Sequence, residues 1–290
     1  MTTNSMNDLV VHIAAQAEKA LLYEVALTPK PGLVDRNNSG AHSDMDFFTF
    51  IDSIVSLSPY LLEYVKLGAE HEGSAKELFH KVRSMGVHAE KAMLAATNNI
   101  NTHKGANFSF AVLLGATGAC VRQGKALPFT QKDTQEILAY AKEMSYGLVT
   151  NDFSALETKS SLSYGEKLFL TYGITGIRGE AEAGYPALGE LVLPYLRANR
   201  DRPTELLLLE TLLLLMSQVE DGNIIHRGGI DAWHTVKTEA KKLLQASTEG
   251  TLKELMYSYD LMLIERHLSP GGAADLLSLG IFFAKLENLF

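Results

Sequence analysis

Five short glycine-rich stretches hold most of the residues in this sequence whose types and spacing could do chemistry. They are residues 28–46, 101–107, 173–186, 221–229 and 268–275, called here the first to fifth stretches. Four of the five hold a lysine or arginine close to a glycine. Glycine lets a backbone approach a phosphate closely, and the lysine or arginine neutralises the charge of the phosphate. Together the five predict one polar, anion-binding site assembled from distant parts of the chain.

The basic residues of these stretches are the candidates for binding phosphate. In the second stretch, Lys104 and Gly105 precede a predicted helix, an arrangement that resembles an anion nest. In the fourth, Arg227 precedes two glycines and forms a second clamp. The complete set of phosphate-binding candidates is Lys30, Arg36, Lys104, Gly105, Arg178, Arg227 and Gly228.

Acid–base candidates lie in the same stretches. Glu180 and Glu182 lie close to Arg178 within the glycine-rich third stretch. They either form a structural salt bridge with it or supply a catalytic base, a catalytic acid or metal ligands. They share a face if the segment is extended and diverge if it is helical. His103 could move a proton near neutral pH. The complete set of catalytic candidates is Glu180, Glu182, Asp35, Asp221 and His103.

Oxygen-bearing side chains in the first and fourth stretches predict a hard cation such as Mg²⁺. Asp44 and Asp46 are two residues apart, as are Asp221 and Asn223. The metal candidates are Asp44, Asp46 and Asn223. Asp46 has an equally good alternative role as the N-cap of a helix. The fifth stretch either starts a helix without further function or offers its N–H groups to a phosphate.

Between the stretches the sequence is helical throughout. Capping signals such as Ser74 with Glu77, together with apolar residues at helical spacing, predict the helices, and no strand-like alternation occurs. We expect helices near residues 7–27, 46–68, 74–99, 107–124, 130–147, 163–172, 187–198, 203–219, 230–247, 249–267 and 272–288. Residues 148–162 are polar and predict no element. We therefore expect an all-α fold, a single multihelical domain over residues 1–290 without a linker or repeat.

Composition excludes several classes of protein. The formal net charge of −8 disfavours nucleic-acid binding. The most apolar run, residues 206–216, is half the length of a membrane span, so we expect a buried helix and no membrane partner. The single Cys120 lies in an apolar segment, which predicts a core residue in a reducing compartment. The N-terminus lacks a basic and apolar signal, so we expect a cytoplasmic location.

Taken in order, the stretches resemble the triphosphoribosyl-dephospho-coenzyme A synthases. The matching segments are TPKPGLVDR with the following NSGAH and DM, then NTHKG, GIRGEAEAGYP, the N…RGG segment and LSPGGAADLL. They span residues 28–277, most of the chain. Each motif alone is weak, whereas all five in order are specific. Two positions depart from the pattern: Gly222 replaces a threonine of the family, and Ala273 replaces a frequent serine.

The resemblance implies a glycosyl transfer between ATP and 3′-dephospho-coenzyme A. The 2′-hydroxyl of dephospho-coenzyme A attacks C1′ of the ATP ribose, adenine leaves, and the triphosphate stays on the transferred sugar. The product would serve as prosthetic-group precursor for the acyl carrier protein of citrate lyase or malonate decarboxylase, and Mg²⁺ would accompany ATP. The main rival interpretation is a Mg²⁺-dependent hydrolase of nucleotide phosphates or N-glycosidic bonds, and a third is a non-catalytic nucleotide-binding module.

Overall fold

A computed structural model describes residues 3–154, 156, 159, 161–246, 248 and 250–290. Within these residues the chain forms α-helices and one π-helical segment and no strand, which confirms the all-α prediction. The helices are α1 (Thr3–Ala26), α2 (Phe47–Ala69), α3 (Ala75–Ala96), α4 (Lys104–Arg122), α5 (Gln131–Met144), α6 (Leu148–Phe153), α7 (Tyr164–Tyr172), α8 (Gly176–Ala183), α9 (Leu193–Ala198, preceded by the π-helical Ala187–Val192), α10 (Thr204–Gln218), α11 (Gly222–Ala246), α12 (Leu252–Glu265) and α13 (Gly271–Leu286).

Helix α4 lies at the centre of the fold and packs against α2, α3, α5 and α13. Its glycines allow an unusually close approach to α2. A Cβ atom at Gly68 would lie 2.0 Å from the carbonyl oxygen of Gly115, and one at Gly118 would lie 2.2 Å from that of Val65. Cys120 is buried in this core and burial raises its thiol pKa to about 11, as expected of a core residue.

Local sequence signals set several helix starts as predicted. Asp46 caps α2, and Ser74 with Glu77 forms the capping box of α3. Helix α10 is buried on nearly all sides, as the leucine-rich run predicts. Among the residues the structure describes, none of the helices combines the length and hydropathy needed to cross a bilayer. That residues 1–290 form one domain stays a prediction.

The differences from the predicted elements concentrate in the functional stretches. The third stretch, predicted as a loop, contains α8. Helix α11 begins at Gly222 rather than at residue 230 and bends at Gly229, whose φ is 80°. Helix α4 begins three residues earlier than predicted, and the polar residues 148–162 contain α6. Residues 247 and 249, at the predicted ends of two helices, lie outside the described residues. The stretches are therefore largely helix N-termini.

Candidate active site

A cavity of about 860 Å³ lies where the five stretches meet. Every stretch lines it, in order through Lys30 and His42, His103 and Lys104, Arg178 and Glu180, Asn223 and Arg227, and Ser269 and Asp275. This volume is typical of sites for sizeable small molecules. The expectation that the five stretches converge on one polar site is confirmed by this geometry.

Two buried carboxylates hold the first stretch in place. Asp35 accepts hydrogen bonds from the backbone N–H groups of Lys30, Asn37 and Asn38, at 3.0, 2.7 and 3.1 Å. Asp260 of α12 accepts one from the N–H of the nearby Gly32 at 2.8 Å. Asp35 is 1% exposed and lies outside the cavity lining. Its carboxylate fixes the backbone conformation of the first stretch. From this position the side chain does not reach the cavity, where the predicted acid–base role would place it.

Lys30 lines the cavity but already has an ionic partner. Its Nζ is buried against the carboxylate of Glu24 on α1. Burial raises the pKa of Glu24, and the nearby ammonium opposes that shift. Any phosphate that reaches Lys30 therefore meets an ion pair rather than a free cation.

Three other candidates of the first stretch lie outside the cavity lining. Arg36 is half exposed and its guanidinium lies 3.6 Å from the carboxylate of Glu205. Asp44 is largely exposed. The Asp46 carboxylate accepts a hydrogen bond from the N–H of Thr49 at 2.9 Å, so of its two predicted roles the structure shows the N-cap. The surface position of these side chains separates them from the residues that converge.

His103 is buried beside the cavity in the neutral form. Its Nδ1 lies 2.7 Å from the hydroxyl of Ser53, which also accepts a hydrogen bond from Thr102 at 2.7 Å. Its Nε2 is buried without a hydrogen-bond partner among the described residues. Burial, with a smaller contribution from Lys30, lowers the pKa of His103 to about 3. Desolvation therefore disfavours the charged form that a proton transfer by this imidazole near neutral pH would require, and its predicted catalytic role stays a prediction.

The predicted anion nest of the second stretch is occupied by a carboxylate of the protein itself. Asp275 of α13 accepts a hydrogen bond from the backbone of Ala106, at the start of α4. A Cβ atom at Gly105 would lie 2.2 Å from Asp275 Oδ2, so glycine is what admits the carboxylate. Lys104 lines the cavity and its Nζ lies 2.6 Å from a carboxylate oxygen of Glu90 on α3. Lys104 thus remains within reach of a ligand, whereas the side chain of Asp275 already occupies the helix N-terminus. Burial, with Glu24 and Asp221 nearby, raises the pKa of Asp275 well above its ordinary value.

Helix α8 separates the two glutamates of the third stretch. Glu180 lines the cavity and accepts a hydrogen bond from the N–H of Ala187 at 3.3 Å. Glu182 lies outside the lining, and its two carboxylate oxygens accept the N–H groups of Gly147 and Val149 at the start of α6, each at 2.9 Å. Because the segment is helical, the two side chains diverge. Only Glu180 is placed where it could act on a bound ligand.

Arg178 pairs with a different carboxylate from the one predicted. Its Nε donates to Asp152 of α6 at 2.7 Å, and Arg83 of α3 binds the same carboxylate through both terminal nitrogens at 2.8 Å. All three residues line the cavity. Burial raises the pKa of Glu180, with smaller contributions from Glu190 and Glu220. Arg178 therefore does not hold Glu180 in its ionised form.

Asp221 joins the N-termini of two helices. One oxygen accepts the N–H groups of Asn223 and Ile224 on α11, at 2.9 and 3.2 Å, and the other accepts that of Ala273 on α13 at 3.0 Å. Burial raises its pKa to about 6, while these hydrogen bonds oppose the rise. Its carboxylate is 2% exposed and positions the fourth stretch against the fifth.

The remaining candidates of the fourth stretch differ in access. Asn223 lines the cavity and packs against Gly271. Gly228 lies outside the lining, where a Cβ atom would come within 2.8 Å of a side-chain carbon of Leu268. In the described part of the chain, no group of three or more His, Cys, Asp or Glu residues is arranged to hold a metal ion. The predicted set of Asp44, Asp46 and Asn223 is likewise dispersed.

Arg227 ties three stretches together at the cavity. Its Nη1 donates to the carbonyl oxygens of Ala41 and His267, at 3.0 and 3.2 Å, and its Nη2 lies 3.2 Å from Nδ1 of His42. The Nε2 of His42 is 3.0 Å from the hydroxyl of Ser269. Burial and Arg227 lower the pKa of His42. Part of the donor capacity of Arg227 is therefore used by the protein.

Sequence reasoning missed one wall of the cavity entirely. Arg83, Gly86, Val87 and Glu90 of α3 line it. Their spacing of i, i+3, i+4 and i+7 puts them on one helical face, and that face carries both charge and glycine. The pattern was readable, but nothing in it indicated that this face meets a cavity. Asp152 and Glu220, which also line the cavity, stand outside the glycine-rich motifs.

The fold and the cavity define an all-α protein with one cavity lined by charged side chains, and comparison with known proteins gives its family. Residues 11–290 match the CitG family, described as ATP:dephospho-CoA triphosphoribosyl transferase. The chain belongs to this family.

Its relatives agree over nearly their full length. A probable 2-(5''-triphosphoribosyl)-3'-dephosphocoenzyme-A synthase of Streptococcus mutans is 51% identical, over 94% of this chain and 95% of the relative. A protein of the same name from Streptococcus equi subsp. zooepidemicus is 48% identical, over 95% and 97%. A crystal structure of a putative triphosphoribosyl-dephospho-coA synthase from Archaeoglobus fulgidus shares the fold, with a TM-score of 0.50 at 19% identity, over 83% of this chain and all of the other.

Proposed function

We propose that this protein transfers the 5-triphosphoribosyl group of ATP to the 2′-hydroxyl of 3′-dephospho-coenzyme A and releases adenine. The observation that carries the proposal is the convergence of all five family motifs on one cavity. In the reaction a bond forms between the 2′-oxygen and C1′ of the ATP ribose. The C1′–N9 bond breaks, and its electron pair leaves with adenine. The 2′-hydroxyl loses a proton and the departing adenine gains one.

Two carboxylates of the cavity are suited to these proton transfers. Glu180 and Glu220 both line it, and neither forms an ion pair within the described part of the chain. Burial raises the pKa of Glu180. Partial burial raises that of Glu220, whose side chain is more exposed and whose shift is opposed by Lys237. A carboxyl group with a raised pKa can hold and release a proton closer to neutral pH. Asp152, Glu90 and Glu24 line the same cavity, but each is paired with a cation. Asp275 also lines it, but its carboxyl group is held against the backbone of Ala106 at the start of α4. We therefore assign the proton transfers to Glu180 and Glu220.

The positive charge that a triphosphate needs comes from two sides of the cavity. Lys104 and Arg178 lie on α4 and α8, and Arg227 lies on α11. A charge-assisted hydrogen bond to phosphate is stronger than a neutral one, so a few such contacts offset the unfavourable net charge of the chain. Arg36 and Gly228 lie outside the lining and have no direct part in this proposal.

Magnesium remains part of the proposal as the counter-ion of ATP. The candidates Asp44, Asp46 and Asn223 do not converge, so they do not fit a site made by the protein alone. Proteins commonly hold Mg²⁺ through substrate phosphates and one or two side chains. Of the three candidates, Asn223 is the one that lines the cavity. We also propose that the product supplies the prosthetic group of citrate lyase or malonate decarboxylase, on the strength of the sequence resemblance.

The experiment that tests this function is mass spectrometry of the products from ATP, Mg²⁺ and dephospho-coenzyme A. We expect dephospho-coenzyme A to gain a triphosphoribosyl group, with free adenine formed only when both substrates are present. ATP should outperform ADP and AMP strongly, because the triphosphate stays on the product and carries most of its charge. Adenine or phosphate released from ATP alone would instead identify a hydrolase.

A further inference from the structure

Arg178 is held in a way that leaves its phosphate-binding atoms available. Asp152 accepts its Nε at 2.7 Å, and the side chain of Arg178 is 29% exposed. Its Nη1 and Nη2 have no hydrogen-bond acceptor in the part of the chain that the structure describes. The guanidinium also lies over the ring of Phe153, with its central carbon 5.4 Å from the centroid. The pair of terminal nitrogens that binds two phosphate oxygens at once is therefore free and fixed in orientation.

Arg83 fixes Asp152 in turn. Its Nη1 and Nη2 donate to the two Asp152 oxygens, each at 2.8 Å. Arg83 is itself placed over the ring of Phe79, with its central carbon 5.8 Å from the centroid. The Asp152 side chain is 12% exposed, and its carboxylate accepts hydrogen bonds from both Arg83 and Arg178. These two arginines therefore set its orientation. The chain of contacts from Arg83 through Asp152 to Arg178 joins α3, α6 and α8. Its two arginines and one aspartate leave one net positive charge at the cavity wall.

The contrast between the two arginines argues against a purely structural ion pair. Arg83 donates to Asp152 through both terminal nitrogens, and this two-pronged contact is the geometry that holds two helices together. Arg178 contacts the same carboxylate through Nε alone. An arginine serving only to tie α8 to α6 would gain more from the two-pronged contact. Neither Arg83 nor Asp152 belongs to a family motif, because both lie outside the five stretches.

We propose that Arg178 forms a polyphosphate subsite and that Asp152 and Arg83 are its positioning residues. The ligand is a chain of phosphates, bound through the Arg178 terminal nitrogens with Lys104 as a further cation of the same cavity. The subsite takes the triphosphate of the sugar donor, so this inference rests on the proposed function for the identity of its natural ligand. Binding of a bare polyphosphate does not depend on the transfer reaction.

Inorganic tripolyphosphate is the probe, and its affinity is measured by isothermal titration calorimetry at fixed ionic strength. We expect the unmodified protein to bind it. Arg178→Lys keeps the charge but removes the two-pronged contact, and we expect affinity to fall at least about tenfold. Arg122→Gln is the matched control, because Arg122 has the same exposure as Arg83 and pairs with Glu72 away from the cavity. This control should bind as the unmodified protein does.

Asp152→Asn distinguishes positioning from simple electrostatics. The substitution removes a negative charge, so electrostatics alone predicts tighter tripolyphosphate binding. The positioning role predicts weaker binding, by about tenfold, because Nε of Arg178 loses its charged partner. Arg83→Gln should weaken binding in the same direction by freeing Asp152. Tighter binding by Asp152→Asn overturns the positioning role. If either variant fails to fold by circular dichroism, Arg178→Lys decides whether the subsite exists.

The subsite and the proposed function fail separately. A protein that makes the triphosphoribosyl product but binds tripolyphosphate equally well with Arg178→Lys retains the function and overturns the subsite. A protein that binds tripolyphosphate through Arg178 but makes no product retains the subsite and overturns the function. In an active enzyme, Asp152→Asn should raise KM for ATP about tenfold, with a smaller effect on kcat, because the contact is made to a group that does not react.

Discussion

Glu180 and Glu182 are two residues apart on α8 and serve different structures. Glu180 lies in the cavity, whereas Glu182 accepts the first backbone N–H groups of α6. A carboxylate at a helix N-terminus satisfies donors that have no partner within the helix and suits the helix dipole. Glu182 thereby fixes α6, the helix that carries Asp152. Of the two glutamates, only Glu180 is therefore placed for the acid–base role that we propose.

Glu180→Gln should lower turnover by at least about a hundredfold, the low end for general acid–base catalysis. The amide keeps the shape of the side chain and cannot exchange a proton at this site, so KM for ATP should change little. The measurement is steady-state release of adenine in the presence of dephospho-coenzyme A. Near-normal turnover would assign the proton transfers to another cavity carboxylate, with Glu220 first.

Glu182→Gln is the matched comparison and should affect stability more than chemistry. Glutamine retains one acceptor oxygen where the carboxylate provides two, so one N–H at the start of α6 loses its partner. We expect a loss of about 1–3 kcal/mol in the free energy of unfolding, measured by urea denaturation. At a temperature where the variant is folded, its turnover should stay within severalfold of the unmodified protein. A loss equal to that of Glu180→Gln would show that Glu182 reaches the reaction.

Most of the helical frame could be predicted from the sequence because its signals are local. The capping pairs, the apolar spacing of α2 and α3 and the leucine-rich α10 all depend on residues within a few positions of one another. The functional stretches were predicted as loops because glycine lowers helix propensity. In α8, packing against α5 and α6 outweighs that preference, and at the start of α11 the neighbouring Asp221 caps the first turn. The glycines in these segments allow close contact with neighbouring elements as well as turns of the backbone.

The site could be predicted only as far as its motifs extend. Lys104, Arg178, Glu180 and Arg227 stand in glycine-rich segments, and the structure brings them to one cavity. The partners that set their chemistry come from distant parts of the chain and carry no motif. The Asp152 carboxylate beside Arg178 is an example. Burial is equally invisible in a short sequence pattern, which is why the lowered pKa of His103 could not be inferred from its motif.

His103 should make the protein sensitive to acid. Its pKa is about 3 in the folded state, against about 6.5 in an unfolded chain. Between these pH values the unfolded state binds a proton that the folded state does not, so the free energy of unfolding falls as pH falls. The slope approaches about 1.4 kcal/mol per pH unit below the unfolded pKa. Asp221 opposes it: with a folded pKa near 6, it favours the folded state as pH falls from about 6 towards 4.

His103→Asn isolates this contribution, because Asp221 is unchanged. Urea denaturation at pH 7, 6 and 5 should show a weaker loss of stability on acidification than in the unmodified protein. His12→Asn, on the exposed surface of α1, is the control and should leave the pH dependence as it was. Identical pH dependence in all three proteins would mean that the folded state accommodates a charged His103.

Lys104→Ala should weaken the use of ATP. The Nζ of Lys104 lies at the cavity and its side chain is 55% exposed, so a phosphate in the cavity can compete with its partner Glu90. Losing one charge-assisted bond corresponds to about 1.5–3 kcal/mol, or roughly ten- to a hundredfold in KM. Lys66→Ala, which breaks a comparable exposed pair with Glu63, should leave KM unchanged. Equal kinetics in both variants would make Lys104 a surface residue without a role in binding.

Gly105→Ala should destabilise the protein through Asp275, and only through Asp275. The added Cβ atom would lie 2.2 Å from Asp275 Oδ2, and the one other neighbour within 4 Å is a carbon of the same carboxyl group. We expect a loss of about 1–3 kcal/mol in the free energy of unfolding, typical of overpacking. In an Asp275→Ala background the same substitution should cost little, because its sole obstacle is gone. A double-mutant cycle measured by urea denaturation at constant pH tests this coupling. Costs of Gly105→Ala that are equal in the two backgrounds would show that the carboxylate does not lie against the start of α4.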